Sequence, residues 1–376
     1  MNDNRFMQSK DTKKPGILIC PLDWGLGHAA RCIPVIHQLT KAGARVVIGA
    51  GGAGLELLRA EFPGLEFILM PGYNISYSRR FPLGIILLLQ VPRILFHIIM
   101  EHRSIGHLVR KHDIRIVISD NRYGLWTKHA YCVFITHQVN IIPPPFLNFT
   151  ESLLARFVRF ILKRYREVWI PDAVGIYNLS GRLSHGKDLP PNVKFTGPLS
   201  RFELTEPSDE PMQNYDILAV ISGPEPQRSA FEETLLRLLP DTNCKCLIVR
   251  GIPGHTKIQI VNTGIHITGH LPAAVLGAIL KNNPLVISRS GYSTIMDLAF
   301  TGNKAVLVAT PGQTEQEYLA RRMDDLNLFA CWDGKDDSFS DALKKSRQYS
   351  GIVPGSIPSE CSETCKELLK TTGIPL

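Results

Sequence analysis

The sequence predicts an α/β protein with two doubly wound domains that face each other across a cleft. Three observations lead to this fold class. The chain has 376 residues, more than the ~250–300 at which a single core usually stops growing. Short apolar runs alternate with helical patterns along the whole chain. A polar, acidic stretch without periodicity at 203–214 separates one such series from the next.

The first series opens with an apolar run at 16–20, which a Gly-rich turn links to a predicted helix over 28–41. Further strands are predicted at 45–49, 65–69, 114–118 and 131–135. These runs are mostly apolar on both faces, as buried parallel strands are. We therefore expect a Rossmann-like domain over residues 1–200, followed by a linker at 201–214.

The second series repeats the pattern after the linker. Strands are predicted at 216–221, 244–249, 265–268, 284–287 and 304–308, with helical patterns between them. Residues 215–376 are therefore expected to form a second Rossmann-like domain.

Composition and charge narrow the function classes. A hydrophobic content of 44% with 20% charged residues is typical of a globular protein and excludes a largely disordered one. Residues 1–200 hold 25 Lys and Arg against 13 Asp and Glu, a net charge of +12, whereas residues 201–376 hold 17 against 21, a net charge of −4. The basic half favours an anionic partner. That partner would be a membrane surface, a phosphate-bearing acceptor or a nucleic acid. A nucleic acid fits the charge, but the sequence has no recognisable reading motif, so we expect no nucleic-acid partner. The polar N-terminus lacks the apolar stretch of a signal peptide, which predicts a cytoplasmic protein.

The turn between the first strand and helix, residues 23–31, is the first candidate site. Gly25 and Gly27 let the backbone approach a ligand closely, and a helix start offers free N–H groups. His28 would lie at the carboxyl edge of the sheet, where it suits a general base that works near neutral pH. The alternative is a tight turn whose histidine caps the helix.

A second polar turn follows a strand of the same predicted sheet. Asp120 and Asn121 place polar groups at the cleft edge, where they would orient an acceptor or support His28. The alternative is a structural turn, for which Asp and Asn are common residues.

The third candidate site follows the strand at 284–287. Ser290 and Gly291 start a helix that can receive a diphosphate, and Arg289 can neutralise its charge. Asp297 lies seven residues after Ser290, on the same helix face, where it can bind ribose hydroxyls. The alternative is an ordinary helix cap with a solvated acid.

A fourth cluster follows the strand at 304–308. Gln313, Gln316 and Glu317 supply the amides and carboxylates that sugar hydroxyls require, since each hydroxyl both donates and accepts. Taken alone, the cluster is equally an exposed helix start.

These motifs resemble the MurG-like, family 28 glycosyltransferases. The family's R-S-G-x-x-T-x-x-E run, followed by Q-Q-Y, is matched by Arg289, Ser290, Gly291, Thr294, Asp297, Gln316, Glu317 and Tyr318, with Asp and Glu in place of Glu and Gln. The family's G-G-T-G-G-H turn resembles residues 24–28, its H-E-Q-N resembles residues 137–140, and its G-G-S-Q-G loop is echoed by residues 222–227.

The resemblance implies a GT-B fold and a role for each matched residue. The donor diphosphate would contact Ser222, Gly223, Arg228, Arg289, Ser290 and Gly291. The ribose would contact Asp297, and the donor sugar Gln313, Gln316 and Glu317. His28 would be the catalytic base, and the acceptor side would include Gly25, Gly27, His137 and Asn140. Asp120 and Asn121 are assigned to the acceptor side by their expected position at the cleft edge.

The activity that the resemblance implies is sugar transfer with inversion. The donor would be a UDP-sugar, with an N-acetylhexosamine as the candidate sugar. The acceptor would be a glycan or a lipid-linked sugar of cell-envelope synthesis. We expect no metal and no tightly bound cofactor, because helix N-termini and arginines can neutralise the leaving diphosphate and no suitable DxD loop is found.

Two apolar and basic stretches at 81–111 and 152–166 predict peripheral contact with an anionic membrane, on the inner face of the cell membrane. In the second stretch Leu153, Phe157, Phe160 and Ile161 recur at helical spacing beside Arg and Lys, as in interfacial helices. The alternative is a core-packed helix with a basic edge.

Two other functions compete with transfer. A nucleotide-sugar hydrolase of the pseudaminic acid pathway is similar in fold and carries a GxGHxxR turn, which Gly25, Gly27, His28 and Arg31 match; His28 would then activate water. A non-catalytic scaffold that binds a nucleotide or a protein is favoured by the two prolines at 224 and 226, which remove N–H donors from a Gly-rich loop.

Overall fold

The computed structural model describes residues 14–73, 83–186, 188–208 and 213–374. The predicted polar terminus at 1–13, residues 209–212 of the predicted linker, and residues 81–82 of the first apolar stretch lie outside the described residues. Residues 14–200 are called the first half below, and residues 213–374 the second half.

Within the described ranges, the first half contains one parallel sheet of seven strands in the order β3-β2-β1-β4-β5-β6-β7. The strands are β1 (Gly16–Pro21), β2 (Arg45–Ala50), β3 (Glu66–Leu69), β4 (Ile114–Asp120), β5 (Tyr131–Ile135), β6 (Glu167–Ile170) and β7 (Val193–Phe195). Its helices are α1 (Leu26–Lys41), α2 (Gly52–Glu61), α3 (Leu83–Lys111) and α4 (Glu151–Leu162).

The second half, over its described residues, has another seven-stranded sheet in the order β10-β11-β9-β8-β12-β13-β14, parallel except for β10 at its edge. The strands are β8 (Ile217–Val220), β9 (Cys246–Val249), β10 (Gln259–Ile260), β11 (Ile265–Thr268), β12 (Leu285–Arg289), β13 (Ala305–Val308) and β14 (Ala330–Trp332). Its helices are α5 (Gln227–Leu238), α6 (Ala273–Lys281), α7 (Tyr292–Thr301), α8 (Thr314–Asp325), α9 (Phe339–Gln348) and α10 (Cys361–Thr372).

The predicted fold class is confirmed, and each of the ten predicted strands forms within one or two residues of its expected bounds. The strands β6, β7, β10 and β14 were not predicted. They have two to four residues each, too few for an apolar period to be recognised.

The C-terminal helix returns to the first half. Helix α10 packs against α1, the backbone N–H of Glu360 donates to the carbonyl of Thr196 at 2.8 Å, and Lys194 lies 3.2 Å from Glu367. One apolar core includes buried side chains of α1, α7 and α10. The proposed domain boundaries stay a prediction, but the last helix is packed on the half opposite to its position in the chain.

The two amphipathic stretches lie on the surface of the first half. Helix α4 buries Ala155, Val158 and Leu162, while Leu153 and Phe160 are 68% and 58% exposed. The expectation that Ile161 shares the exposed face was wrong: at 100° per residue it lies at the margin of the buried stripe and is only 8% exposed. None of the helices in the described ranges is both long and apolar enough to cross a membrane.

Each sheet reverses its strand order at one point. In the first sheet the reversal lies between β1 and β4, and in the second between β8 and β12. In open α/β sheets, ligands bind beyond the carboxyl ends of the strands at such points. The segments after these four strands carry many of the predicted site residues, and the others follow β5 and β13.

Candidate active site

A cavity of about 320 Å³ lies between the carboxyl ends of the two sheets. The first half lines it with Leu22, Trp24, Gly25, Leu26, Gly27, His28, Arg31, Asn121, Tyr123, His137, Gln138 and Ile141. The second half lines it with Ser222, Gly223, Pro224, Arg289, Gly291, Tyr292, Ser293, Thr294, Thr310, Gln313, Glu315 and Gln316. The structure thus brings together most of the predicted residues from both halves.

The turn after β1 brings the two halves into contact. Gly25 has a φ of 87°, which a glycine adopts without strain, and α1 begins at the next residue. Ser293, on α7, donates to the carbonyl of Gly27 at 2.9 Å. A Cβ at Gly27 would lie 3.1 Å from the Ser293 Oγ atom. A side chain at this position would therefore displace the Ser293 hydroxyl and disturb its hydrogen bond to Gly27.

His28 is paired with Asp120 at the end of β4. The Nδ1 atom of His28 lies 3.0 Å from Oδ1 of Asp120, whose side chain is fully buried, while the His28 side chain is 16% exposed. An Nδ1–H that donates to the carboxylate leaves Nε2 as the nitrogen with the lone pair. The pair therefore has the arrangement of a general base with an orienting acid.

Arg31 completes this pair from the next turn of α1. Its Nε donates to Oδ2 of Asp120 at 2.5 Å, and its Nη2 contacts both Oδ1 of Asp120 and Nδ1 of His28. Burial and the Arg31 charge lower the pKa of His28 below 6.5, against an opposing effect of Asp120. Burial alone would raise the pKa of Asp120, but Arg31 and His28 lower it, so that the carboxylate is ionised.

His137 extends the cluster across the cleft. Nη1 of Arg31 donates to its Nδ1 at 2.8 Å, and its Nε2 lies 2.6 Å from Oε1 of Glu315 on α8. The ring of His137 stacks on Tyr292 with a centroid distance of 4.3 Å and an angle of 6°. Because Arg31 can only donate, Nδ1 of His137 accepts, and the proton on Nε2 is donated to Glu315.

The opposite wall is suited to an anion. Arg289 is 9% exposed, and its guanidinium donates to the carbonyls of Ala309 and Gln227 and lies over the ring of Phe231 at 4.1 Å. No carboxylate pairs with it in the part of the chain that the structure describes, and burial lowers its pKa to about 10. A buried cation without a counter-ion suits a negatively charged ligand, because such a ligand would supply the missing partner.

Two helix starts close to Arg289 also bear on the binding of an anion. Helix α7 begins after Gly291 without a side-chain cap, whereas at the start of α5, after Pro226, the Glu225 carboxylate accepts from the N–H of Ser229 at 3.3 Å. Gly291, Ser222 and Gly223 line the cavity beside Arg289. Free N–H groups and the helix dipole add to the positive potential of the arginine.

Of the three residues predicted to contact the donor sugar, two line the cavity and one does not. Gln313 and Gln316 line the cavity, where Oε1 of Gln316 accepts from the backbone N–H of Thr310 at 2.8 Å. Glu317 lies outside the cavity lining, and its Oε1 accepts from the N–H of Gly312 at 2.8 Å. Its carboxylate shapes the loop that carries Gln313.

Four other predicted residues do not line the cavity. Ser290 is fully buried, and its hydroxyl donates to the carbonyl of Gln316 at 2.8 Å. Arg228 is paired with Glu225 and Glu232. The Nδ2 of Asn140 donates to the carbonyl of Arg182 at 3.0 Å. Asp120 lies behind His28, as one of its two predicted roles requires.

Asp297 also lies outside the cavity lining. Its carboxylate accepts from the hydroxyl of Ser200 at 2.8 Å and forms an ion pair with Arg201 at 3.0 Å. Both partners belong to the segment where the chain leaves the first half. The acid therefore fixes that segment to α7, and its contact with a ribose stays a prediction.

The prediction named Arg31 only as part of the GxGHxxR turn, without a role in the site, and it left out Glu315 and Tyr292. Arg31 was recognisable, because a residue three positions after His28 lies on the same helix face. Glu315 and Tyr292 had no signal in the sequence that linked them to His137.

No group of three or more His, Cys, Asp or Glu side chains with the geometry of a metal site occurs among residues that the structure describes. Metal independence stays a prediction.

Several solved structures of glycosyltransferases share this architecture. The chain aligns over 96% of its length with 96% of the glycotransferase of kitacinnamycin, with a TM-score of 0.60 and 12% identity. It aligns equally with the calicheamicin glycosyltransferase CalG4 at a TM-score of 0.57 and 13% identity. The Streptomyces sp. SF2575 enzyme SsfS6, complexed with thymidine diphosphate, matches at 0.56 and 12%, over 95% of this chain and 99% of that one.

The two sheets and the cleft between them define a protein of the GT-B glycosyltransferase fold. Residues 256–342 match the model of the glycosyltransferase family 28 C-terminal domain. An uncharacterised glycosyltransferase of Methanosarcina acetivorans is 24% identical over 80% of this chain and 79% of its own. Another, of Methanosarcina mazei, is 22% identical over 78% and 79%. Together these matches support glycosyltransferase activity for this chain.

Proposed function

We propose that this protein transfers a sugar from a UDP-sugar or a related nucleoside diphosphate sugar to an acceptor hydroxyl. One observation carries the proposal: a single cavity is lined by His28, which Asp120 contacts from behind, and by Arg289, which has no carboxylate partner among the described residues. A base that faces an anion site is what transfer away from a diphosphate requires.

In the proposed reaction, Nε2 of His28 removes the proton of the acceptor hydroxyl while the oxygen attacks the anomeric carbon. The bond between that carbon and the diphosphate oxygen breaks, and the diphosphate leaves with the electron pair. A single displacement of this kind inverts the configuration at the anomeric carbon. Asp120 stabilises the imidazolium that forms on His28.

Arg289 and the start of α7 would stabilise the negative charge that develops on the leaving diphosphate. The cation and the helix dipole supply the electrostatic role that a divalent metal has in other transferases, which supports metal independence. The thymidine diphosphate in SsfS6 supports a nucleoside diphosphate as the ligand class. Gln313 and Gln316 are the candidate contacts for the sugar. The first donor to test is one that carries an N-acetylhexosamine.

The acceptor is proposed to be lipid-linked and to belong to cell-envelope glycan synthesis. Support comes from an apolar surface with basic residues on the first half, called the interfacial surface here. Its apolar members are Leu95, Phe96 and Ile99 of α3 and Leu153, Phe157 and Phe160 of α4, each 41–68% exposed. Its basic members are Arg156, Arg159, Lys163 and Arg164, of which all but the half-buried Arg159 are exposed.

The two helices of the interfacial surface meet at Trp126. The ring of His102, on α3, stacks on Trp126 at 3.9 Å, and Arg164, just after α4, lies 5.3 Å above the same ring. Apolar side chains flanked by arginine and lysine suit the boundary of an anionic membrane. Peripheral binding there, on the cytoplasmic face, would hold a lipid-linked acceptor close to the cavity.

The test is a panel of UDP- and dTDP-sugars, first for binding and then for products. A donor at 100 times its Kd stabilises the fold by ~2.7 kcal/mol, which raises the melting temperature measurably. Products are then analysed with and without a lipid-linked acceptor. Transfer to the acceptor supports the proposal. Free sugar at the same rate without acceptor means a hydrolase, in which His28 activates water. Binding without turnover of any donor means a non-catalytic scaffold.

A further inference from the structure

The cluster around His28 contains one carboxylate from the second half of the chain. Asp120, Arg31 and His137 belong to the first half, whereas Glu315 is in the first turn of α8. An unbroken series of hydrogen bonds joins Glu315 to His137, His137 to Arg31, Arg31 to Asp120, and Asp120 to His28. The base is thus linked to the donor-side half through side chains alone.

We propose that Glu315 is a positioning residue for His28: through His137 and Arg31 it completes the charge and the hydrogen bonding of the base when the donor-side half is in place. This inference rests on the transferase activity proposed above.

The net charge of the cluster around His28 gives the physical reason for the role of Glu315. With both histidines neutral, Arg31 carries +1 and the carboxylates of Asp120 and Glu315 carry −1 each, so the buried cluster has a net charge of −1. When His28 takes the acceptor proton, the cluster becomes neutral. Without Glu315 the same step would change the cluster from neutral to +1, which a buried site disfavours. Glu315 therefore favours proton uptake by the base.

The electrostatics of Glu315 agree with this role. Burial raises the pKa of its carboxyl, but His137, His28 and Arg31 together lower it, so the acid is ionised. His28 is faced by Asp120 from β4, by Arg31 from its own helix and by His137 from the loop after β5.

The hydrogen bonds also order the protons. Nε2–H of His137 donates to Glu315, which keeps Nδ1 of His137 free to accept from Arg31. That contact aligns the guanidinium, whose remaining donors hold both oxygens of Asp120. Polar contacts such as Thr314 Oγ1 to the carbonyl of Ile142, at 2.6 Å, join α8 to the first half beside this chain. An opening of the cleft would break the link between Glu315 and His137.

The test measures the titration midpoint of His28 directly and does not require a substrate that is turned over. Full-length protein labelled with ¹³C in the histidine rings is titrated by NMR, and the His28 signal is assigned from the spectrum of His28→Gln. In Glu315→Gln we expect the titration midpoint of His28 to move to lower pH, because a negative charge that favours the imidazolium is lost. Glu315→Asp keeps the charge and should restore the midpoint towards the wild-type value.

Asp325→Asn is the matched control, because Asp325 is an exposed acid at the other end of α8, and its His28 midpoint should equal that of the wild type. His137→Gln interrupts the series at the next link, so adding Glu315→Gln to it should shift the midpoint less than in the wild type. Far-UV circular dichroism confirms that each variant is folded. An unchanged midpoint in Glu315→Gln would overturn the proposal.

Activity supplies a second readout. On the donor identified above, Glu315→Gln should lower kcat by roughly 2- to 30-fold without changing the Kd of UDP in calorimetry. A weaker UDP affinity with an unmoved His28 midpoint would make Glu315 a donor ligand and contradict the proposal. If no donor is turned over, the proposed function fails, but the titration still decides whether Glu315 positions His28.

Discussion

The Nδ1 atom of His28 lies 3.0 Å from the Oδ1 atom of Asp120, although 92 residues separate them in the chain. Strands β1 and β4 are neighbours at the point where the first sheet reverses its order. His28 follows β1 and Asp120 ends β4, so the order of strands in the sheet creates the pair. Its position across one cavity from Arg289 is the basis of the following predictions.

Removing the base should abolish most of the activity. His28→Ala is expected to lower kcat by roughly 10²–10⁴-fold, the usual contribution of general base catalysis. The Kd of UDP should stay the same, because His28 lines the cavity from the first half and the proposed diphosphate ligand Arg289 lines it from the second. Steady-state kinetics and calorimetry on the same preparation measure both quantities. Near-normal turnover would reduce His28 to a residue of the helix start.

The pH dependence should reflect the lowered pKa of His28. Because burial and Arg31 favour the neutral imidazole, the base stays active below the ordinary histidine value of 6.5. The acid limb of kcat/KM should therefore lie below pH 6.5. Asp120→Asn removes the charge that favours the imidazolium, so its acid limb should lie at still lower pH and its kcat should fall by roughly 10²–10⁴-fold. A limb that Asp120→Asn leaves in place would belong to another group.

The anion site should depend on Arg289. Arg289→Gln removes a buried cation, and a hydrogen bond to a charged group is worth about 1.5–3 kcal/mol, so the Kd of UDP should rise roughly 10- to 150-fold. Arg237→Gln is the control, because Arg237 is 60% exposed and paired with Asp336. Calorimetry with UDP measures both variants. Equal affinities would place the diphosphate elsewhere.

Asp297 should contribute to stability through Arg201 and Ser200. Asp297→Asn leaves the half-buried Arg201 without its ion-pair partner, so the free energy of unfolding should fall by about 1–3 kcal/mol. Urea denaturation checks this value. The ribose prediction is decided separately by calorimetry with UDP on the folded variant: a weaker affinity supports the ribose contact, and an unchanged affinity removes it.

Binding to membranes should be confined to the first half. Replacing Arg156, Arg159, Lys163 and Arg164 by Gln should release the protein from anionic vesicles, since each basic residue near such a surface contributes ~1 kcal/mol. The charge-matched control replaces Arg237, Lys281, Lys335 and Lys344 of the second half, which are also exposed, and should leave binding unchanged. Vesicle sedimentation at low and high salt is the measurement. A wild-type protein that stays in the supernatant at both salts would contradict membrane docking.

Much of the fold was predictable from the sequence. The apolar runs that became β1, β2, β4 and β5 are buried on both faces, so each needs a continuous apolar segment that can be recognised alone. The Gly-rich turn before His28 and the polar turn after β12 were predictable as well, because carboxyl ends of parallel strands at a reversal of strand order form ligand sites. Local sequence therefore determined the strands, the fold class and two walls of the cavity.

Which side chains meet inside the cavity was decided only by the tertiary structure. Glu315 reaches His137 because the two halves are packed together, and Asp297 turns to Arg201 because the chain leaves the first half beside α7. Helix α10 packs against α1 because the two halves are in contact. A helix or strand period reports which face of an element is buried, but the partner on that face depends on contacts between distant segments. The sequence thus specified the candidate base His28. The order of strands in the first sheet placed Asp120 beside it, and the packing of the two halves added Glu315.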